Sequence, residues 1–178
     1  KDFQTFQWLI LNQVIFNADA EVYGAELEIE SRPMDGLTLQ LGMGVMDATA
    51  KDIPNIAGDA VRDRDMVGAP DFNVSALARY EWPALGGTLA VQTSGSYQQE
   101  IWYDIQNHPI SKEDGYTVVN FRTSYTTGDE ALELYAYVNN AFEEEYKSYT
   151  FDFTGLFGFN QQAAGLPRWW GLGARFNF

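Results

Sequence analysis

Cysteine is absent from this 178-residue chain, and His108 is its only histidine. Without cysteine the chain can form no disulfide framework and no thiolate-ligated metal site. It also lacks a Ser/His/Asp grouping, a phosphate-binding glycine loop and any recognisable metal-ligand spacing. We therefore expect no catalytic residues, no cofactor and no bound metal, and we predict that the protein is not an enzyme.

The chain also has no long apolar run and few basic residues, and both features narrow the class of protein. Hydrophobic residues make up 46% of the chain, but no run approaches the ~20 consecutive apolar residues of a membrane-spanning helix. Basic residues are few, since 11 Lys and Arg stand against 25 Asp and Glu and leave a net charge of -14. This charge argues against nucleic acid and other polyanionic partners.

What the chain does contain is a sustained alternation of apolar and polar residues. In the clearest stretch, from Leu37 to Val45, apolar side chains at odd positions interleave with Thr, Gln and Gly. A strand whose alternate residues stay apolar over about ten positions is long enough to cross a bilayer at a tilt. Strands in soluble sandwiches usually have only about five or six residues. The alternation predicts eight strands, at roughly 3–11, 21–31, 37–45, 73–82, 89–98, 119–125, 132–139 and 169–178.

The positions between the apolar residues carry polar side chains, even in the middle of the strands. This is expected of strands that line a water-filled lumen rather than a dry core. The residues expected to line that lumen are Gln40, Arg79, Gln92, Gln98, Asn120, Arg122, Glu133 and Tyr135. Aromatic residues make up 15% of the chain and suit the girdles at the two membrane interfaces of a barrel. The predicted fold class is therefore all-β, an antiparallel transmembrane β-barrel.

The predicted connections alternate between short and long. The tight turns are residues 32–36, 83–87 and 127–130, and the long loops are residues 47–70, 103–115 and 143–166. The turns are rich in Pro, Gly and Asp, which favour tight reversals. Outer-membrane barrels have short periplasmic turns and long extracellular loops, and strand parity places all three short turns at the same end as Phe178.

The alternation of apolar residues with polar or small residues continues through the last ten residues of the sequence. Trp170, Leu172, Ala174, Phe176 and Phe178 are apolar, and the residues between them are mostly polar or small. A soluble protein rarely ends on such a strand, because an unpaired apolar edge promotes aggregation. In a membrane barrel one side of the strand faces lipid and its edge is paired. Taken alone, the segment is also compatible with the last strand of an ordinary sandwich.

Several short motifs occur in a specific order and spacing. They are Gly24-Ala-Glu26 with Leu37, Gly68-Ala-Pro70 with Tyr80, Val138-Asn-Asn-Ala-Phe-Glu-Glu-Glu-Tyr146, Gly165-Leu-Pro-Arg168 and the terminal Phe178. Together they resemble the C-terminal barrel of TonB-dependent outer-membrane receptors. The third stretch is similar to that family's Val-x-Asn-Leu-Phe-Asp-x-x-Tyr motif, from which Ala141 and Glu143 depart, and the fourth to its Gly-x-Pro-Arg motif.

The resemblance implies that residues 1–178 form about the last eight strands of a receptor barrel of about 22 strands. The N-terminal plug, its TonB-contacting segment (the TonB box) and the earlier strands would lie outside this sequence. The resemblance also implies a multi-pass barrel in the outer membrane of a Gram-negative bacterium. A complete small eight-stranded barrel with a structural or adhesive role is the alternative.

The function implied by the resemblance is energy-coupled uptake of a scarce solute, most often an iron complex such as a ferric siderophore. The implied partners are that small molecule, outer-membrane lipid, the TonB complex acting through the plug, and the barrel-assembly machinery. Candidate ligand contacts in the long loops are Trp102, Tyr103, His108, Tyr149, Phe151 and Arg168. Exposed rings can hold flat ligands and an arginine can meet an anionic group, although the rings also suit a girdle or loop packing.

The C-terminal pattern generates a prediction about assembly. Trp170, Leu172, Phe176 and Phe178 resemble the signal by which the barrel-assembly machinery recognises a last strand, through strand addition that reads alternate side chains. Deleting Phe178, or replacing it with a charged residue, should block insertion in cells far more than it weakens a formed barrel. The measurements are surface-exposed receptor in cells and unfolding of the same variant refolded in detergent. Normal surface levels would show that the pattern is lipid-facing wall only.

Overall fold

The computed structural model describes residues 3–9, 12–54 and 61–177. These residues form strands, one short α-helix and one 3-10 turn at Pro109–Ser111. The elements are β1 (Phe3–Leu9), β2 (Asn12–Met34), β3 (Leu37–Ile53), β4 (Arg62–Asp65), β5 (Phe72–Ala84), β6 (Gly87–Gln98), β7 (Ile101–Trp102), β8 (Lys112–Glu113), β9 (Tyr116–Thr127), β10 (Leu132–Asn139), β11 (Lys147–Phe153), α1 (Thr154–Phe157), β12 (Phe159–Ala164) and β13 (Trp169–Phe176).

Eight of the strands form one continuous antiparallel wall in the order β1-β2-β3-β5-β6-β9-β10-β13, with β4 added to the outer end of β3. These eight are the strands that the alternation predicted, and the all-β antiparallel fold class is confirmed. Within the described part of the chain, β1 and β13 lie at opposite edges and do not pair, so the wall does not close. The closed eight-stranded barrel, which was the alternative, is therefore not formed.

The register of the wall places apolar residues beside apolar residues on one face. Ile29 lies opposite Leu41, which lies opposite Ala76, and Val138 lies opposite Trp170. The large side chains exposed on this face include Leu27, Ile29, Leu39, Val91, Phe121, Leu134, Trp170 and Leu172. A continuous exposed apolar surface of this kind marks an interaction with a partner or a membrane, and here it is the lipid-facing side of a barrel wall.

Aromatic pairs border the apolar face at both ends. Tyr80 and Trp82 stack with ring centroids 5.4 Å apart near the short turns, and Phe72 and Tyr97 meet at 6.1 Å near the long loops. The ten-residue step from Phe72 to Trp82 along β5 covers about 33 Å of strand. At a tilt of about 40° this corresponds to about 25 Å of height, which is the apolar band of an outer-membrane barrel.

The short turns all lie at one end of the wall, as predicted. Gly87 pairs with Thr127 and Leu132 pairs with Phe176, so two of the turns and the end of β13 share that end. Gly36 closes the turn between β2 and β3 with a φ of +78°, and a Cβ there would lie 2.0 Å from the Glu81 carbonyl oxygen. Phe178 lies outside the described residues.

Two strands are longer than their apolar patterns predicted. β2 has 23 residues and β3 has 17, and both continue well beyond the lipid-facing stretch. The alternation marks only the part of a strand that contacts lipid, whereas backbone pairing continues above it. β1 also differs from the prediction, because it pairs with residues 12–18 of β2 and so lies entirely above the level where β3 joins.

The described parts of the long loops contain secondary structure of their own. They contain the added strand β4 and two small sheets, β7–β8 and β11–β12. The best-buried apolar cluster of the described residues also lies there, where Ala50 and Ile53 are fully buried and Ile105 is 3% exposed. Since the wall exposes one face to lipid and one to the lumen, a dry core can form only where the loops pack on one another.

The assignment of the two faces can be tested with a pair of adjacent substitutions. Leu41→Arg places a charge near the middle of the apolar band, opposite Ala76, and should destabilise the barrel by about 2–4 kcal/mol. Gln40→Arg places the same charge on the polar face and should be nearly neutral. Heat-modifiable gel mobility of the full-length protein measures both, and equal sensitivity at the two positions would contradict the assignment.

Candidate functional site

The most distinctive feature of the loop end is a run of aromatic rings, Tyr103, Tyr149, Phe151, Phe153, Phe157 and Phe159, which we call the ring ladder. Tyr103 meets Tyr149 at 5.7 Å between ring centroids, and Tyr149 meets Phe151 at 4.4 Å. Phe153 continues the series at 5.8 Å from Phe151 and 5.7 Å from Phe159. The predicted contacts Tyr103, Tyr149 and Phe151 are therefore brought together.

Apart from Tyr103, which belongs to the second long loop, the ring ladder lies on one face of the hairpin β11–β12 and on the helix α1 at its tip. Phe153 pairs with Phe159, while Asp152 on the opposite face pairs with Asn160. The ring face is open at its tip, where Phe157 and Phe159 are 57% and 52% exposed. On the other face Thr150 is only 2% exposed, so one side of the hairpin is docked and the ring side is accessible.

His108 connects the docked face of the hairpin to the neighbouring loop. Its Nδ1 lies 3.7 Å from Asp152 Oδ2 and 3.8 Å from Asp104 Oδ1. Asp152 also accepts a hydrogen bond of 2.8 Å from the Thr154 amide, and Asp104 accepts one of 2.7 Å from the Gln106 amide. His108 is thus a link between loops and faces away from the open ring side.

The base of the hairpin is fixed by buried polar contacts. The Tyr103 hydroxyl donates a 2.5 Å hydrogen bond to the Lys147 carbonyl, and Lys147 Nζ lies 3.1 Å from Glu113 Oε2 and donates to the Lys112 carbonyl. Burial, with smaller contributions from Tyr116, Glu113 and Tyr146, raises the pKa of Tyr103 to about 12. The phenol therefore stays protonated and keeps donating at neutral pH.

Trp102 joins the first long loop to the second. Its Nε1 donates a 3.0 Å hydrogen bond to Asp65 Oδ2, and Lys112 Nζ lies 5.6 Å from the ring centroid. Asp65 and Asn107 also bond reciprocally, since the Asp65 amide donates to Asn107 Oδ1 at 2.9 Å and Asn107 Nδ2 donates to the Asp65 carbonyl at 3.1 Å. The indole hydrogen bond of Trp102 therefore holds loops together.

A second site lies where β10 leaves the wall and β13 enters it, and Asn140 is at its centre. Asn140 is 3% exposed and has a φ of +48°, a conformation that asparagine tolerates better than most residues. Its side chain bonds both to the Glu144 backbone, at 2.8 Å, and to the Leu166 carbonyl, at 3.1 Å. Its amide donates to Asn120 Oδ1 at 2.9 Å.

The remaining motif residues complete this connection, which we call the motif latch: Asn140, Glu143, Tyr146, Gly165 and Arg168. The Gly165 amide donates to the Tyr146 carbonyl at 2.7 Å, and a Cβ on Gly165 would lie 2.2 Å from the Tyr146 ring. Arg168 Nη2 lies 2.7 Å from Glu143 Oε1. The sequence motifs are therefore structural here, and Arg168 is paired within the latch.

The polar face of the wall carries a charged network beside the last strands. Arg122 and Arg175 lie 2.9 and 3.5 Å from the Glu133 carboxylate, and the Arg122 guanidinium lies 4.1 Å from the Tyr135 ring centroid. Tyr135 and Tyr137 lie directly opposite Gly173 and Gly171. A Cβ on Gly173 would lie 2.3 Å from the Tyr135 ring, and a Cβ on Gly171 would lie 2.5 Å from the Tyr137 hydroxyl oxygen, so either would clash.

None of these arrangements resembles a catalytic or metal centre. No group of three or more His, Asp or Glu side chains among the described residues is placed to hold a metal ion. The described residues instead form a polar wall face, a partly exposed ladder of rings, and a loop end held together by hydrogen bonds and ion pairs.

No helix in the described ranges is long and apolar enough to cross a membrane.

Comparison with known proteins identifies the family. The model of the TonB dependent receptor-like β-barrel matches residues 1–141, which is most of the chain. The chain belongs to this family. The membership agrees with the apolar and polar faces of the antiparallel wall.

Solved receptors of this class share the fold. The ferric yersiniabactin uptake receptor FyuA from Yersinia pestis matches with a TM-score of 0.76 and 16% identity, over 90% of this chain and 24% of that one. BauA, the ferric preacinetobactin receptor from Acinetobacter baumannii, matches with a TM-score of 0.74 and 16% identity, over 100% and 26%. The siderophore receptor PiuA from Acinetobacter baumannii gives 0.71 and 16%, over 89% and 22%. The chain thus spans about a quarter of the length of these receptors.

Several residues of the loop end were not anticipated from the sequence. Tyr116, which stacks on the motif residue Tyr146 with ring centroids 4.3 Å apart, has no local pattern that marks it. The same holds for the buried residues Ser111 and Glu113. The motif itself was a usable signal for Asn140, because asparagine tolerates the left-handed backbone conformation that this position adopts.

The motif latch generates a stability prediction. Asn140→Ala removes the side-chain bonds to two backbone segments and leaves buried backbone groups unpaired, so it should cost about 2–4 kcal/mol. Glu145→Ala, an exposed change five residues away, should stay within about 0.5 kcal/mol. Denaturant unfolding of the full-length protein in detergent measures both, and equal effects would show that Asn140 does not hold the latch.

Proposed function

We propose that this protein is an outer-membrane TonB-dependent receptor of a Gram-negative bacterium that takes up an iron complex of the siderophore type. The observation that carries the proposal is the combination of family membership with a wall that is apolar on one face and polar on the other. In this proposal residues 1–178 supply the C-terminal part of the barrel and three of its extracellular loops. The role is transport and not catalysis.

The ligand side of the proposal is supported by the ring ladder. Its rings are contiguous, partly exposed and mounted on a hairpin whose base is braced by Tyr103, Lys147 and Glu113. A braced hairpin loses little conformational freedom when a ligand binds, which favours affinity. FyuA and BauA are receptors for ferric yersiniabactin and ferric preacinetobactin, which supports the choice of an iron complex.

Among the candidate contacts, Tyr149 and Phe151 are the strongest because their rings belong to the open face. An indirect role, holding the loops and the hairpin in place, would fall to Trp102, Tyr103 and His108. Arg168 is engaged by Glu143 at 2.7 Å, so it would contact a ligand only after that ion pair opened.

The lumen side of the proposal is supported by the polar face. Arg122, Glu133 and Arg175 form a network there, and Arg79 pairs with Glu81 at 3.2 Å. Such a surface can hydrogen-bond water or a plug domain but offers no apolar contact for a lipid. In the proposed mechanism, the plug blocks the lumen until the TonB complex pulls on it.

Energy coupling is the direct test of this function. The full-length protein should bind its ferric ligand in cells that lack the TonB complex, because binding needs only the loops and the plug. Uptake of radiolabelled iron should be lost in those cells and restored when the complex is supplied again. Uptake that persists without the complex would indicate passive diffusion and contradict the receptor function.

A ring variant provides the matched control for ligand binding. Phe151→Ala should weaken binding about 5- to 30-fold, a loss of about 1–2 kcal/mol for one ring at a contact surface. Phe142→Ala removes an exposed ring that packs on Phe121 of the lipid-facing side and should leave binding unchanged. Equal losses in the two variants would show that the effect is not specific to the ring ladder.

A further inference from the structure

The charges of the loops around the ring ladder constrain the kind of ligand it can take. In residues 99–115 and 140–168, which hold the second and third long loops, eight Asp and Glu stand against three Lys and Arg. Counted over these segments, the loops carry a net charge of -5 with His108 neutral. The ligand surface proposed above therefore lies in a negative electrostatic environment.

The three basic residues of these segments are not free to receive an anion. Lys112 lies 2.7 Å from Glu100, Lys147 lies 3.1 Å from Glu113, and Arg168 lies 2.7 Å from Glu143. Each pair is a link within or between loops. An anionic ligand that used one of these three residues would have to break its ion pair, and it would then leave a carboxylate without its partner.

The first long loop adds to the negative potential. The pKa of Asp71 is raised, first by burial and then by the carboxylates of Asp65, Asp47 and Glu100. Asp65 is also the residue that accepts the hydrogen bond from Trp102, next to Tyr103 of the ring ladder. Carboxylates from two loops thus act on the same end of the wall.

The open rings themselves favour a positive group over a negative one. An aromatic face is the negative pole of the ring quadrupole, so it attracts cations and gains nothing from anions. Phe153, Phe157 and Phe159 present such rings at the exposed tip of the hairpin. The rings and the acidic loops therefore both favour a ligand with a positive group over a ligand with negative charge.

We propose that the ring ladder binds ferric chelates without net negative charge, of the trihydroxamate type, and that the loop carboxylates disfavour polyanionic tris-catecholate chelates. Three hydroxamates neutralise the ferric ion, and a pendant ammonium group can then lie over the rings. Three doubly deprotonated catecholates leave three negative charges, which meet the acidic loops. This inference rests on the proposed function, because it names the chemical class of ligand for the same surface.

The test compares three probes on the full-length receptor by fluorescence quenching or calorimetry. The probes are a ferric linear trihydroxamate with a pendant ammonium group, its N-acetylated neutral form, and a ferric tris-catecholate. We expect the ammonium form to bind about fivefold more tightly than the neutral form at low salt, with the difference shrinking as salt is added. The tris-catecholate should bind more weakly than either.

A pair of charge variants isolates the role of the loop ion pairs. Glu143→Gln releases Arg168 from its carboxylate, and it should improve tris-catecholate binding about fivefold or more. Glu145→Gln removes the same charge two residues away, where the described residues show no ion pair, and should have a smaller effect. Heat-modifiable mobility of each variant verifies that the barrel is intact.

The outcomes separate this inference from the proposed function. If the tris-catecholate binds more tightly than both hydroxamate chelates, the assigned ligand class is overturned while uptake of an iron complex stands. Equal responses of Glu143→Gln and Glu145→Gln would overturn the role given to the Arg168 ion pair. If none of the three chelates binds, the assigned ligand class is overturned, and the dependence of radiolabelled iron uptake on the TonB complex decides the iron function separately.

Discussion

The structure depends on one constraint, which is that a backbone crossing a membrane must satisfy its hydrogen bonds without water. In a strand this is possible only by pairing with neighbours on both sides, so register along the wall is fixed by continuous ladders. Once register is fixed, the alternation of side chains determines which residues face lipid and which face the lumen. The short turns and the long loops then fall at opposite ends of the wall as a geometric consequence.

The same constraint explains which parts of the structure are stabilised by side-chain packing in addition to the hydrogen bonds between strands. A wall between lipid and a wet lumen has no dry interior, so apolar packing of the usual kind is left to the loops, around Ala50, Ile53 and Ile105. On the polar face, packing takes another form. Tyr135 and Tyr137 cover Gly173 and Gly171 on the last strand, and such cross-strand pairs protect a glycine-containing strand that would otherwise be weakly held.

The alternation in the sequence predicted the eight wall strands, the polarity of their faces and the three tight turns, because each depends on local residue order. It did not predict the outer halves of β2 and β3, since above the membrane neither face needs to be apolar. The ligand contacts stay a prediction, and only the clustering of the rings can be compared with the structure. Tyr103, Tyr149 and Phe151 were singled out because exposed rings on loops can hold flat ligands, and the structure brings them together. Their assembly depends on Lys147 and Glu113, which no sequence pattern connects.

Arg168 shows why a residue type alone does not define a binding role. An arginine in a long loop suggests an anion site, but Glu143 occupies it at 2.7 Å. Glu143 replaces the Asp of the family motif and keeps a carboxylate at that position, so the departure preserves the charge pairing. The motif latch joins the end of β10 to the start of β13, and the ring hairpin is inserted between these two points in the chain. The motif residues therefore hold together the two ends of the segment that carries the ring hairpin.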